Sequence, residues 1–126
     1  MPTASIVKLT LSAQLPSAAL GPAIPVAEPL GAPVAQTRNL PAPPAEANAS
    51  CGVWECSPGR WRRQVLKAEF SHILSGRCRF VPDVGEPVVL RGGDSVYFPP
   101  DSHGVWEIEQ TLRKVYVVFD AAAPAA

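Results

Sequence analysis

Residues 69–76 read EFSHILSG, and residues 93–99 read GDSVYFP. Each is a short, largely apolar stretch bounded by turn residues, which is typical of a β-strand. Similar stretches lie on both sides, separated by turn residues about every ten positions. No segment shows sustained helical periodicity, so the pattern predicts an all-β sandwich or barrel. The predicted strands cover residues 52–56, 60–66, 70–74, 78–81, 87–90, 95–98, 104–109 and 112–119.

The first 50 residues differ in composition, because they hold nine of the 15 prolines and only four charged side chains. Proline lacks the N–H that a helix or central strand needs and fixes φ, so only short extended pieces are expected, at residues 5–11 and 34–40. A disordered Ala/Pro tail is one interpretation. Ile, Val and Leu side chains that can serve as apolar anchors favour the other, an extended arm of residues 1–50 that packs on a barrel formed by residues 51–126.

Overall composition excludes several classes of protein. The 126 residues suit one domain, and 11 basic residues balance 11 acidic ones, so no nucleic-acid footprint or attraction to anionic membranes is expected. No stretch approaches the roughly 20 apolar residues of a membrane helix, and the first residues lack signal-peptide features, which predicts a cytoplasmic protein. Cys51, Cys56 and Cys78 are expected to be reduced thiols, with a Cys51–Cys56 bridge as the open alternative.

Two blocks resemble the two cupin motifs. The first motif is G-x5-H-x-H-x3-4-E-x6-G, and Glu69 and Gly76 have the spacing of its end. The second is G-x5-P-x-G-x2-H-x3-N, and residues 93–99 match its start. The resemblance implies a double-stranded β-helix, the cupin jelly-roll barrel, which commonly forms homodimers.

One cupin branch is more similar still, the small cupins named after the ureidoglycine aminohydrolase cupin domain. The similarity lies in residues 52–61 (GVWECSPGRW), 104–108 (GVWEI) and 113–116 (RKVY), together with residues 69–76. It covers about residues 51–119 in the right order. Membership would imply release of ammonia from a ureido compound by a metal-dependent enzyme.

The resemblance places the metal ligands of such an enzyme at two histidines and a glutamate of the first motif and one histidine of the second. Manganese, iron or zinc would suit such a set. Aligned on Glu69, the paired histidines fall on Arg62 and Gln64 in one register, or on Arg63 and Val65 in the other. The last histidine falls on Gly104, one residue after His103. The usual ligands are thus missing, and a rearranged site of Glu69, His72 and His103 is the remaining metal candidate.

Glu69 is the candidate catalytic acid or base. If it faces the barrel interior, burial raises the pKa of its carboxyl group, whereas a nearby Arg62 or Lys114 lowers it. The alternative is an internal salt bridge that only fills the barrel. The predicted ligand cavity is lined by Trp54, Arg62, Gln64, Glu69, Phe98, Trp106, Lys114 and Tyr116.

The sequence therefore supports three hypotheses about function. The first is binding of a small organic ligand in the barrel cavity, with catalysis left open. The second is the metal-dependent enzyme acting on a ureido or related nitrogen compound. The third is a structural homodimer in which the Pro-rich arm is exchanged between subunits.

Overall fold

A computed structural model describes residues 6–42 and 49–121 of the chain. Within these residues the regular secondary-structure elements are eight β-strands and one short 3-10 helix, Ser17–Leu20. None of the described helices is long and apolar enough to cross a membrane. The strands are β1 (Ile24–Pro25), β2 (Gln36–Pro41), β3 (Ala49–Cys56), β4 (Gly59–Val65), β5 (Ala68–Pro82), β6 (Val88–Arg91), β7 (Ser95–Phe98) and β8 (Ser102–Phe119).

Two long strands, β5 and β8, organise an antiparallel jelly roll. The last part of β8 lies between β3 and the first part of β5, and β7 extends that side by pairing with residues 69–72. The first part of β8 lies between β4 and the last part of β5, and β6 extends that side by pairing with residues 77–80. Each long strand therefore passes from one face of the barrel to the other. The predicted all-β cupin jelly roll is confirmed.

The bend of β5 explains why two predicted strands are one. Segments 70–74 and 78–81 form a continuous strand, and the expected turn at residues 75–76 is a series of β-bulges against β8. Gly76 has φ 95°, and a Cβ there would lie 2.1 Å from the Thr111 carbonyl oxygen. Only glycine meets both requirements, so the strand bends without ending. Segments 104–109 and 112–119 likewise join in β8.

The N-terminal segment lies against the outer face of β3 and β8. Its predicted 34–40 piece corresponds to β2, which pairs directly with β3. Of the predicted extended piece at 5–11, residues 10 and 11 instead form a turn, with Leu11 at φ 52°, and residues 6–9 belong to no strand. Residue 5 lies outside the described residues. Instead of strand pairing, backbone carbonyls of Ser12 and Leu15 accept hydrogen bonds from Arg113 on β8.

The interior is filled by aromatic side chains. Phe80, Phe98 and Trp106 pack edge to face, with ring centroids 5.0–5.7 Å apart, an arrangement that suits the ring quadrupoles. All three cysteines are free, so the Cys51–Cys56 bridge does not form. Burial raises the pKa of Cys56 to about 11 and that of Cys78 to about 12, which keeps both thiols neutral near pH 7.

Candidate functional site

Glu69 lies at the centre of a buried charge cluster. Its position on β5 alternates inward with Ser71, and only 2% of the residue is exposed. One carboxylate oxygen accepts hydrogen bonds from Lys114 Nζ on β8, at 2.6 Å, and from Ser71 Oγ, at 2.8 Å. The other oxygen accepts from Arg63 Nη2 on β4, at 2.7 Å. One carboxylate thus joins two cations that come from both faces of the barrel.

Tryptophan rings surround the two cations. Lys114 Nζ lies 4.6 Å from the Trp54 ring centroid and 5.3 Å from that of Trp106. Arg63 Cζ lies 5.9 Å and 5.7 Å from the same two centroids. Cation–π contacts replace part of the hydration that the cations lose on burial. We call Glu69, Lys114, Arg63, Trp54 and Trp106 the inner charge cluster.

The cluster lowers the pKa values of its two most buried charged members, Glu69 and Lys114. Burial alone would raise the pKa of Glu69, but the charges of Lys114 and Arg63 and the hydrogen bonds from Lys114 and Ser71 lower it to about 2. Burial lowers the pKa of Lys114 to about 8; Arg63 adds to this effect and Glu69 opposes it. Glu69 is therefore an anion across the physiological range, whereas Lys114 can release its proton just above neutrality.

A cavity of about 200 Å³ opens beside the cluster. Tyr116 on β8 donates a hydrogen bond of 2.7 Å to Asn39 Oδ1 on β2, so the N-terminal segment supplies part of the cavity wall. Burial raises the pKa of Tyr116, which keeps its hydroxyl a donor. We call this space the Glu69 cavity; its lining residues are Asn39, Trp54, Arg63, Glu69, Lys114, Tyr116 and Val118.

The structure brings together half of the predicted cavity residues. Trp54, Glu69, Lys114 and Tyr116 line the Glu69 cavity. Trp106 is fully buried and contacts both cations through its ring, without lining the cavity. Phe98 belongs to the aromatic filling, where it packs on Phe80 and Trp106 and borders a different cavity.

Arg62 and Gln64 lie on the outer face of β4, away from the cavity where they were expected. Arg62 forms an exposed bidentate ion pair with Asp83, and Gln64 is exposed to solvent. The inward position belongs to Arg63, because side chains alternate along a strand and Trp61 and Val65 on either side of it are buried. The apolar residues at 61 and 65 are the signal in the sequence that favours this register.

Four residues of the site or its wall were not predicted from the sequence as cavity residues. They are Arg63, Asn39, Ser71 and Val118. Asn39 lies in a proline-rich segment with no motif, and only its pairing with Trp54 across β2 and β3 places it at the cavity. Ser71 follows from alternation, since it is two residues beyond Glu69 on the same strand face.

The side chains present do not fit a cupin metal site. In the register that the structure adopts, the two motif-one histidine positions are Arg63 and Val65, a cation and an alkyl group. The motif-two position is Gly104, where a Cβ would lie 2.4 Å from the Val81 carbonyl oxygen and 2.7 Å from the Phe80 ring. A histidine therefore has no room there.

The rearranged metal set does not converge either. His72 lies on the outer face, where Nδ1 is 2.8 Å from Ser95 Oγ. His103 borders a separate cavity of about 420 Å³ formed by the turns at Asp83 and Pro99. Among residues 6–42 and 49–121, no group of three His, Cys, Asp or Glu side chains is placed to hold a metal ion.

Comparison with known proteins identifies a broader family than the cupin branch suggested by the sequence motifs. No curated protein matches the chain. The fold is similar to the EutQ protein of Clostridium difficile, with 17% identity and TM-score 0.62 over 76% of this chain and 79% of that one. A putative ethanolamine utilization protein Q from Salmonella typhimurium LT2 is also 17% identical, with TM-score 0.57 over 71% and 72% of the two chains.

A DUF861 family protein from Thermotoga maritima is 27% identical, with TM-score 0.52 over 53% of this chain and 76% of that one. The sequence matches the EutQ-like cupin domain profile over residues 44–116, more than half of the chain. The ureidoglycine aminohydrolase branch is a finer assignment than this match provides. The chain belongs to the EutQ-like cupin domain family.

Proposed function

We propose that this protein binds a small organic ligand in the Glu69 cavity, with a hydrogen-bond acceptor of the ligand facing Arg63. The observation that carries the proposal is that Arg63 Nη1 is buried and finds no acceptor among the described residues, although Nη2 is paired with Glu69. Leaving a buried donor unpaired costs about 1–3 kcal/mol. A ligand acceptor would remove the cost when the Arg63 side chain, which lines the cavity, turns Nη1 towards the ligand.

The charge balance favours the same chemistry. Arg63 and Lys114 contribute two positive charges, whereas Glu69 is the only carboxylate among the residues lining the cavity. The cluster therefore carries a net charge of about +1 in a poorly solvated place, which attracts the oxygen of a carboxylate or a carbonyl group.

Stability alone does not account for the cluster. Replacing a buried ion cluster by apolar residues of similar volume is often neutral or stabilising, because the ions lose hydration. The barrel already has an aromatic filling, so more of the same filling could replace Lys114 and Glu69. Retention of three charges next to a cavity is better explained by binding.

The walls limit the size of the ligand. Trp54 and Val118 offer apolar surface, and about 200 Å³ corresponds to roughly seven water-sized volumes. Typical cofactor and drug sites are larger, about 300–1,000 Å³. The fit is to a short-chain carboxylic acid, amide, aldehyde or ketone rather than to a nucleotide.

Binding can be tested by thermal unfolding with a panel of short-chain carboxylates, amides and alkylammonium ions. We expect acceptor-bearing compounds to raise Tm in the unmodified protein and in Arg62→Met, and this effect to be lost in Arg63→Met. The two arginines are neighbours on β4, but only Arg63 faces the cavity, so Arg62→Met is a matched control. Equal stabilisation of both variants, or no stabilisation of any, would overturn the proposal.

A ureido-compound aminohydrolase is the second candidate function, favoured by the sequence blocks shared with the ureidoglycine aminohydrolase branch. A ureido carbonyl would meet the same Arg63 donor. Because the residues at the metal-ligand positions do not fit a metal, such an activity would need different chemistry. Ammonia release from ureidoglycine by purified protein tests it directly, and none above the uncatalysed rate excludes it.

A further inference from the structure

We infer that Lys114 is a nucleophilic amine, which forms a reversible imine with a small aldehyde or ketone held in the Glu69 cavity. This inference deepens the proposed function, and it rests on the cavity admitting a ligand. It identifies the reacting group of that ligand as a carbonyl group.

The surroundings of Lys114 match those that activate a lysine. An amine becomes a nucleophile when it is desolvated and lies next to another cation, since both effects favour the uncharged form. Lys114 is 1% exposed, lines the cavity, and shares the carboxylate of Glu69 with Arg63. The aromatic faces of Trp54 and Trp106 take the place of water around Nζ.

Within residues 6–42 and 49–121, the charged or titratable groups around Lys114 Nζ come from β3, β4, β5 and β8. Arg63 on β4 and Glu69 on β5 are the charged neighbours, and Cys78 on β5 and Cys56 on β3 are neutral thiols. Tyr116, two residues along β8, is a neutral phenol. The lowering of the Lys114 pKa to about 8 agrees with this geometry.

The reaction balances without another reagent. The Lys114 ammonium ion first gives one proton to water, and the free amine attacks the carbonyl carbon. A C–N bond forms, the carbonyl π bond breaks, and a proton passes from the nitrogen to the oxygen to give a neutral carbinolamine. Loss of the hydroxyl group as water, with one more proton, leaves a protonated imine. The positive charge remains at the lysine nitrogen, so Glu69 is the counter-ion before and after reaction.

The hydrogen-bond donors of the site can stabilise the groups that change during imine formation. Arg63 lines the cavity, and a rotation of its guanidinium group that turns the unpaired Nη1 to the cavity would let it hold the carbonyl oxygen and then the departing hydroxyl group. The hydroxyl group of Tyr116 borders the same space and can exchange its Asn39 acceptor for the ligand. Glu69 keeps the charged nitrogen in place.

The chain suits a trapping experiment, because it has only three lysines, Lys8, Lys67 and Lys114. The full-length protein is incubated with propanal and cyanoborohydride at pH 7, and modified sites are mapped by mass spectrometry. A pKa of about 8 instead of about 10.4 gives a roughly 200-fold larger share of free amine at this pH. Among the lysines, we expect the propyl group on Lys114, introduced at least about 10-fold faster than on Lys67, with the α-amino group mapped separately.

Two controls separate a site from general reactivity. Lys67→Arg should not change the labelling of Lys114, since Lys67 lies on the surface near Asp120. Denaturant should abolish the preference for Lys114. Arg63→Met should raise the pH at which Lys114 labelling is half-maximal, because the neighbouring positive charge is removed, and this pH shift would not follow from a purely structural role.

The outcomes distinguish this inference from the proposed function. Labelling spread over the lysines, or absent from Lys114 while Lys67 reacts, would overturn the imine. If short carboxylates or amides still stabilise the protein in an Arg63-dependent way, the ligand cavity stands without it. Since the main measurement uses the unmodified protein, misfolding of a Lys114 variant cannot obscure the result.

Discussion

Arg113 and Lys114 are consecutive residues of β8, both are buried cations, and they point to opposite sides of the same strand. Arg113 faces outward, pairs with Glu55 on β3 and also bonds two backbone carbonyls of the N-terminal segment. Every nitrogen of its guanidinium group has an acceptor. Lys114 faces inward, where one carboxylate serves two cations and one Arg63 nitrogen has no acceptor.

This difference separates a structural ion pair from a candidate site. The outer pair is neutral, every guanidinium nitrogen of Arg113 has an acceptor, and the carbonyls of Ser12 and Leu15 are two of these acceptors, so the pair fixes the N-terminal segment to the barrel. The inner charge cluster is charged, incompletely paired and next to a cavity. Both ion clusters are buried, so burial does not distinguish them. The number of hydrogen-bond donors without an acceptor does.

The largest predicted effect comes from removing the inner anion. Glu69→Gln leaves Lys114 and Arg63 buried without a counter-charge, so we expect the free energy of unfolding to fall by about 3–5 kcal/mol. The matched outer change, Glu55→Gln, should cost less, because Arg113 keeps its two carbonyl acceptors. Urea unfolding of both variants at pH 7 measures the difference. Equal losses would mean that the two clusters do not differ in the way proposed.

Lowering the pH should weaken the inner charge cluster of the unmodified protein, because it protonates Glu69. The folded pKa of Glu69, about 2, lies below the ordinary value of about 4.3, so its stabilisation is present above pH 4.3 and is lost as pH falls towards 2. The corresponding free energy is about 3 kcal/mol. In urea unfolding between pH 7 and pH 2.5, the difference in the free energy of unfolding between the unmodified protein and Glu69→Gln should shrink. A difference that stays constant with pH would contradict the low pKa of Glu69.

The smallest predicted effect concerns the wall that β2 contributes. Asn39→Ala removes the acceptor of the Tyr116 hydroxyl group, and we expect a loss of about 1 kcal/mol in the free energy of unfolding. Gln36→Ala, on the same strand, is the control, since Gln36 bonds Ser57 through its backbone amide. If the two variants unfold alike, the Asn39–Tyr116 hydrogen bond does not help to close the Glu69 cavity.

The sequence predicted the fold well, because turn residues and motif blocks are local signals. It divided β5 and β8 into two strands each, since a bulge at Gly76 and a turn there have the same composition. The N-terminal piece at 5–11 was predicted from its β-branched and apolar residues, but a strand needs a partner, and no described strand pairs with residues 6–11.

The site was predicted only in part, for a geometric reason. Glu69 fixes the motif, but three or four residues can separate it from the paired positions, and this choice decides whether Arg62 or Arg63 faces inward. Asn39 reaches the cavity through long-range pairing of β2 with β3, which no local pattern encodes. Which donors of a cluster remain unused depends on its three-dimensional contacts, and thus required the structure.

Gly104 has a consequence for how this barrel can change over evolutionary time. Trimming Phe80 would clear one obstacle to a histidine at position 104, but the Val81 carbonyl oxygen belongs to the backbone, and no substitution can remove it. The third imidazole of a cupin metal site therefore requires that the β5–β8 ladder shift as well as that two side chains change. The aromatic-filled interior is a local optimum in sequence space, separated from a histidine-lined one by intermediates that fold poorly.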